Sequence, residues 1–304
     1  MKRTPHRTTI SLLLGTAVVL LAAACGAEHA VSLGGVGNTT PTTSPRTPPP
    51  QPVSTPPAHP VSTPPPHLVS LVWFANSAGL VPVQRATVAT PAVATAAIKA
   101  LLAGPTAKER AAGISTAIPK ETKLLGISLH KGVATIDLTA EYGTGGGALS
   151  VQDRLGQVVY TLTEFPTISR VLFHLDGAPV HVFSSEGIVL DHPVTRDDYV
   201  NLLPPITVTR PTTGTRVSSP VLVSGDANVF EANVSIEVLD ANGKVVGKTF
   251  TTATCGTGCR GTFSAQVAFE VTRAQSGTIV VHDDDAAGTG TPPHIVRIPI
   301  TLAP

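Results

Sequence analysis

At 304 residues the chain has room for about two domains of ordinary size. Hydrophobic residues make up 42% and aromatics only 4%, so its cores must be built from Val, Leu, Ile and Ala. A formal net charge of +1 excludes a general nucleic-acid binder, which needs clustered Lys and Arg to neutralise phosphates.

The first element is a targeting segment. Lys2, Arg3 and Arg7 precede a nearly continuous apolar run over residues 10–24. That run is shorter than the ~20 residues a spanning helix needs. It ends in LAAAC, with Cys25 as the cysteine. Small residues before a single cysteine resemble a bacterial lipobox, although Ala22 stands where that motif prefers Leu and Leu21 is one place further back. The resemblance implies that Cys25 is acylated, becomes the mature N-terminus and holds the chain on the outer face of the cytoplasmic membrane. An ordinary secretory signal or an uncleaved anchor are the alternatives.

Residues 26–68 read as a tether. Twelve prolines fall between Pro41 and Pro66, and the unit PVSTPPAH at 52–59 repeats as PVSTPPPH at 60–67. Such a segment cannot bury a core and favours extended polyproline II, at ~3.1 Å per residue. His59 and His67 on a solvated strand make a poor metal site, and Thr-Pro content of this kind also suits O-glycans.

Residues 69–200 predict an α+β domain. Strands are expected at 69–74 and 80–88. A helix follows, with Thr90 as N-cap, Pro91 in its first turn and a stop at Gly104-Pro105. Val93, Ala97 and Leu101 share one face of it, flanked by Ile98 and Leu102. Residues 123–130 alternate into a turn at Lys131-Gly132, and 133–138 return. After the glycine-rich loop 143–147, Ser150 and Asp153 form an S-x-x-D capping signal for a second helix over 150–165. Strands at 170–175 and 180–183 complete the order β-β-α-β-β-α-β-β, a mixed sheet with two helices on one face.

Several strings in this block resemble the GerMN domain of germination proteins: ALLAGPT at 100–106, AIP at 117–119, GVATIDL at 132–138, QVVYTL at 157–162 and PVTRDDY at 193–199. They arise in the family's order over about 130 residues. The resemblance implies assembly at the cell envelope and a fold similar to the ring-building modules of secretion-like complexes. It implies no catalytic residues.

Residues 206–304 predict an all-β sandwich. Strands are expected at 206–211, 217–225, 234–239, 244–249, 262–271, 278–281 and 295–302, with Asn242-Gly243 as a type I′ hairpin turn. PVLVSG at 220–225 and ANVFEA at 227–232 resemble the immunoglobulin-like domain that follows GerMN. Cys259-Arg260 stand where that family would place an aromatic residue, before 261–263.

Chemistry is sparse. Gly143-x-Gly145-x-x-Ala148 fits a dinucleotide pattern formally and fails on context, because no strand leads directly into it and no acidic residue closes a second strand. Asp283, Asp284 and Asp285 are a run of acids without a calcium-loop spacing. Asp137, Asp153, His130 and His174 could act as acid–base groups only if the fold gathered them. No cofactor or metal pattern is present. Cys255 and Cys259, with small residues between them in an exported domain, are expected to form a disulfide, the rival being a metal or redox pair.

The expected function is a non-catalytic assembly or scaffold protein of the envelope. The alternative is a binding module for a cell-wall polymer or small ligand, and a hydrolase ranks last. The expected partners are the membrane, through the lipid, and an envelope protein or wall component. Trp73 is expected in the core. Loops 143–147 and 191–199 are the first expected contact sites, with Arg196 and Tyr199 alternatively pinning the inter-domain joint.

Overall fold

The computed structural model describes residues 67–284, 288, 290 and 293–304. Cys25, the targeting segment, the tether and Asp285 lie outside the described residues. Residues 61–304 form one compact unit with two hydrophobic cores.

The first core begins with a long hairpin, β1 (His67–Asn76) and β2 (Gly79–Val88). Asn76 Oδ1 accepts from the N–H groups of Ala78 and Gly79, at 2.8 and 3.1 Å, which turns the chain. Gly79 sits at φ +134°, and a Cβ there would lie 2.2 Å from the Leu202 carbonyl oxygen. Only glycine fits.

Helix α1 (Val93–Leu102) starts later than Thr90 and Pro91 predict. Thr90 Oγ1 instead takes the N–H of Ala92, which is the N-cap. The helix stops before Gly104, at φ +76°. A second short helix, α2 (Ala107–Ala111), was not expected. It carries a complete capping box between Thr106 and Glu109.

Strands β3 (Leu124–His130) and β4 (Val133–Leu138) form the expected hairpin. Helix α3 (Ala148–Leu162) crosses to β5 (Arg170–Leu175), parallel to β4, and β6 (Ala178–Pro179) pairs with β5. The order β3-β4-β5-β6 is a mixed sheet. A small hairpin, β7 (Val182–Phe183) and β8 (Ile188–Val189), follows. Ser150 and Asp153 do not cap α3: the N-cap is Gly147, with no side-chain cap, and both residues lie inside the helix.

The β1–β2 hairpin stays separate from this sheet, for a visible reason. The outer edge of β1 is already satisfied by α3. Trp73 N–H donates to Thr161 Oγ1 at 3.0 Å, and Gln157 Nε2 donates to the Trp73 carbonyl at 3.2 Å. Ala75 bridges to Ser115. Helix α3 is consequently buried at every position from Arg154 to Leu162, inside one core that includes Trp73, Leu80, Leu101, Ile136 and Phe173.

The second core lies between two sheets. One is β10-β16-β15-β12-β13, formed by β10 (Arg216–Val217), β12 (Asn233–Leu239), β13 (Val245–Thr252), β15 (Gln275–His282) and β16 (Ile295–Leu302). The other is β14-β11-β9, formed by β9 (Ile206–Arg210), β11 (Val221–Ala227) and β14 (Gly261–Val267). Alternation drives the packing: Val234, Ile236 and Val238 face inward from β12, against Val223 and Phe263 from the opposite sheet. The turn at Asn242-Gly243 is not type I′. Gly243 has φ +79°, but Asn242 is not at positive φ. Gly243 N–H closes on the Asp240 carbonyl, and Asp240 Oδ1 takes the N–H groups of Asn242 and Lys244. The aspartate side chain thus shapes a three-residue loop with a glycine bulge.

Candidate functional site

The joint between the two cores gathers two partly buried ion pairs, Arg196–Glu164 and Arg260–Asp226. Trp73 is 1% exposed, as its apolar strand predicts. Its ring lies 4.8 Å from that of Tyr160, and its Nε1 donates to Glu164 Oε1 at 3.0 Å. Arg196 closes over this pair. Its guanidinium carbon sits 4.8 Å from the Tyr160 centroid and 5.6 Å from that of Trp73. Its Nε donates to Thr163 Oγ1 at 2.7 Å, and Nη2 reaches both the Tyr160 carbonyl and Glu164. Burial pushes the Tyr160 phenol up to about 12, against the opposing pull of Arg196.

Arg260 supplies the second half of the joint. Nη2 donates to the Pro204 carbonyl in the connecting segment at 2.6 Å, and Nη1 meets Asp226 Oδ1 at 2.5 Å. Burial raises the pKa of Asp226, and Arg260 and Arg196 pull it back. The sequence places Arg260 where an aromatic residue is expected, and its charge makes this joint.

Beside the joint is a cleft of about 210 Å³. Leu80 and Pro82 of the hairpin, Pro204, Val208 and Pro211, and Ile298 of β16 form its walls. Arg297 is the one charged residue in its lining. Asn76, Ser77, Thr207 and Thr212 add polar groups to the lining, so the cleft is mixed in character, and it offers no acid–base pair.

The expected contact loops divide. In the loop 143–147, Gly145 and Gly146 take positive φ, and the buried guanidinium of Arg154 ties the loop down by donating to the carbonyls of Tyr142, Gly145 and Ala117 at 2.5, 2.9 and 3.1 Å. It caps carbonyls and cradles no phosphate. In 191–199, Asp191 and His192 form an exposed pair at 2.7 Å. Asp198 Oδ2 holds the Thr195 N–H and hydroxyl, Arg196 enters the joint, and Tyr199 is buried above Gly156.

The acid–base candidates do not gather. Asp137 and His174 are register neighbours across β4 and β5, but Asp137 Oδ1 accepts from Gly177 N–H at the following turn. His130 is at the far end of β3. Asp153 lies on α3, with its pKa raised by burial. Asp283 holds His294 through its backbone N–H and Nδ1, at 2.6 and 2.8 Å, and Asp284 holds Ser235 Oγ at 2.9 Å. Among the described residues no group of three metal-ligating side chains is formed. Cys255 and Cys259 are paired, with Cα atoms 5.8 Å apart.

With this geometry in place, residues 71–181 match the family model Germane, described as sporulation and spore germination. Residues 205–289 match Gmad2, the immunoglobulin-like domain of bacterial spore germination. The chain carries these two domains in tandem. Among solved structures, the first GerMN domain of the sporulation protein GerM from Bacillus subtilis is 20% identical, with a TM-score of 0.38, over 43% of this chain and 99% of that one. The tandem GerMN domains of the same protein are 13% identical, with a TM-score of 0.40, over 67% of this chain and 62% of that one. Comparison with curated proteins gives no match. The Germane stretch ends at 181 and the Gmad2 stretch at 289, so Tyr199, Leu202 and strand β16 lie beyond the matched residues.

Proposed function

We propose that this chain is a lipid-anchored extracytoplasmic protein that acts by association, as a non-catalytic assembly or scaffold component of the cell envelope. The observation that carries the reading is the joint: Arg260 ties the second domain to the connecting segment at the Pro204 carbonyl, and the Gln84 N–H of β2 donates to Thr212 Oγ1 of the second domain at 3.2 Å. A fixed two-domain surface suits docking to another envelope component. The anchor is Cys25, through a lipid on its thiol, and Cys25→Ser is expected to release the protein from the membrane or stall its processing. Among the described residues no helix is long and apolar enough to cross a membrane.

Proximity labelling of the full chain in its native envelope tests the association, alongside assays for hydrolysis of peptidoglycan and ester substrates. Partner capture without turnover is the expected result. Turnover abolished by one acid or histidine substitution, with no partner captured, overturns it. The cleft beside the joint, lined by both apolar and polar side chains, favours a second reading, a binding module for a small ligand or a wall polymer.

A further inference from the structure

The four-stranded sheet of the Germane domain blocks one edge and leaves the other open. β6 is two residues long and includes Pro179, which has no N–H to offer. At the opposite edge β3 runs for seven residues, LLGISLH, with no Pro and no Lys, Arg, Asp or Glu between Lys123 and Lys131. The Lys131-Gly132 turn has both residues at positive φ, 46° and 80°, and closes on the pair His130–Val133. In such a hairpin the backbone groups of His130 and Ser128 face β4, and those of Ile127 and Leu129 face away. Among the described residues no backbone group bonds Ile127 or Leu129 on that outer side. Leu125 and Leu129 are 52% and 50% exposed.

Sheets ordinarily guard such an edge with charge, proline or brevity. The second domain does so: Pro299 lies on the outer edge of β16, where its carbonyl meets Gly214, and β13 carries Lys248 and a register shift opposite Val238. β3 also carries a register shift, at Leu125, but from Gly126 to His130 it has neither charge nor proline.

We propose that the β3 edge pairs antiparallel with β3 of a second copy of this chain, about a two-fold axis. The strand suits its own reversed copy. Leu125, Ile127 and Leu129 alternate with Gly126 and Ser128, so the copy presents the same series and brings no charge into the ladder. An axis through Ile127 sets Lys123 opposite Lys131 of the copy. An axis through Ser128 sets Ile127 opposite Leu129 and parts the lysines, and like charges disfavour the first register. The result is one continuous eight-stranded sheet, two times the four strands of each copy. This deepens the association reading by naming one partner.

Two measurements test it. In membranes holding the full chain, Ser128→Cys is expected to give an oxidised dimer, since the axis sets residue 128 against its copy. The control Thr135→Cys, on β4 away from the edge, is expected to give none. In sedimentation of the chain from residue 61 onward, which forms a compact unit of its own, a monomer–dimer equilibrium is expected. Leu129→Pro, which removes an outward N–H and no ladder bond to β4, and Leu129→Lys should each weaken it about tenfold or more, about 1.4 kcal/mol, with unfolding midpoints kept. Cross-linking no greater than the control, a monomer at the highest soluble concentration, an association untouched by either substitution, or a foreign strand found on β3 would each overturn the pairing. A monomer that still captures an envelope protein overturns the pairing alone and leaves the association reading standing.

Discussion

Arg260 Nη1 lies 2.5 Å from Asp226 Oδ1, with the two side chains 17% and 23% exposed. The same guanidinium bonds the Pro204 carbonyl, so one side chain ties the second domain to the segment leaving the first. Arg260→Ala is expected to cost about 2 kcal/mol, the lower end for breaking a pair that keeps some water. The variant retains the burial that raises the Asp226 pKa and loses the guanidinium that lowers it. A carboxyl with a raised folded pKa weighs against folding above that pKa, and the penalty fades as pH falls through it. Urea midpoints across the acidic range should therefore show Arg260→Ala closest to wild type at low pH.

Glu109 works in the opposite sense. Burial alone would raise its pKa, but Arg85, at 2.6 Å to each oxygen, and the Thr106 N–H more than offset that and hold it below 4.5. The stability it supplies is present above the unfolded value and is lost as pH falls through the lowered folded value. Glu109→Gln should cost about 2 kcal/mol at neutral pH and flatten the acid limb of the stability profile. An acid limb as steep as that of wild type would count against this pair.

Two glycines separate soft from hard contacts. A Cβ at Gly156 meets Leu202 Cδ1 at 2.8 Å and Leu80 Cδ1 at 3.0 Å, both ends of flexible side chains. The gain in helix propensity offsets part of the strain, so Gly156→Ala should lose about 1 kcal/mol. At Gly225 the register of β11 against β9 shifts, and a Cβ would lie 1.9 Å from the Thr207 carbonyl oxygen. Gly225→Ala forces backbone to move and should cost more than about 3 kcal/mol, read from thermal unfolding.

The Cys255–Cys259 loop gives a fourth expectation. Unreduced protein should resist thiol labelling at both positions, and reduction should lower stability by about 2 kcal/mol. Labelling of both thiols before reduction would disprove the bridge. Gly261 crowds this loop, since a Cβ there would lie 2.0 Å from Cys255 N.

Local signals carried much of the fold. Alternation on either side of Lys131-Gly132 is enough to read β3 and β4, and inward Val234, Ile236 and Val238 are enough to read β12. Local signals also misled. Ser150 and Asp153 mimic a cap because both are polar at the right spacing, yet α3 starts earlier, at a glycine that costs little in an extended N-cap. Asn242-Gly243 mimics a type I′ turn because the role of Asp240 depends on its side chain reaching back to the loop. The box Thr106-x-x-Glu109 was legible and would have revealed α2. The joint was not. Arg196 and Trp73 are far apart in the chain, as are Arg260 and Pro204, and no periodicity announces a contact between segments so distant.

Helix α3 draws its cover from chain on both sides of it. Leu80 precedes it, and Tyr199 and Leu202, which close over Gly156, arrive some forty residues after it. A chain threaded outward from its N-terminus would therefore expose one apolar flank of α3 until residue 202 has emerged. The Germane domain should then complete its core in one late step, just before the segment that Arg260 will grip. A fragment ending at residue 192 should bind a hydrophobic dye, and one ending at residue 204 should not. By this criterion the working end of the domain is the turn that holds Leu202, well past residue 181, where the Germane match ends.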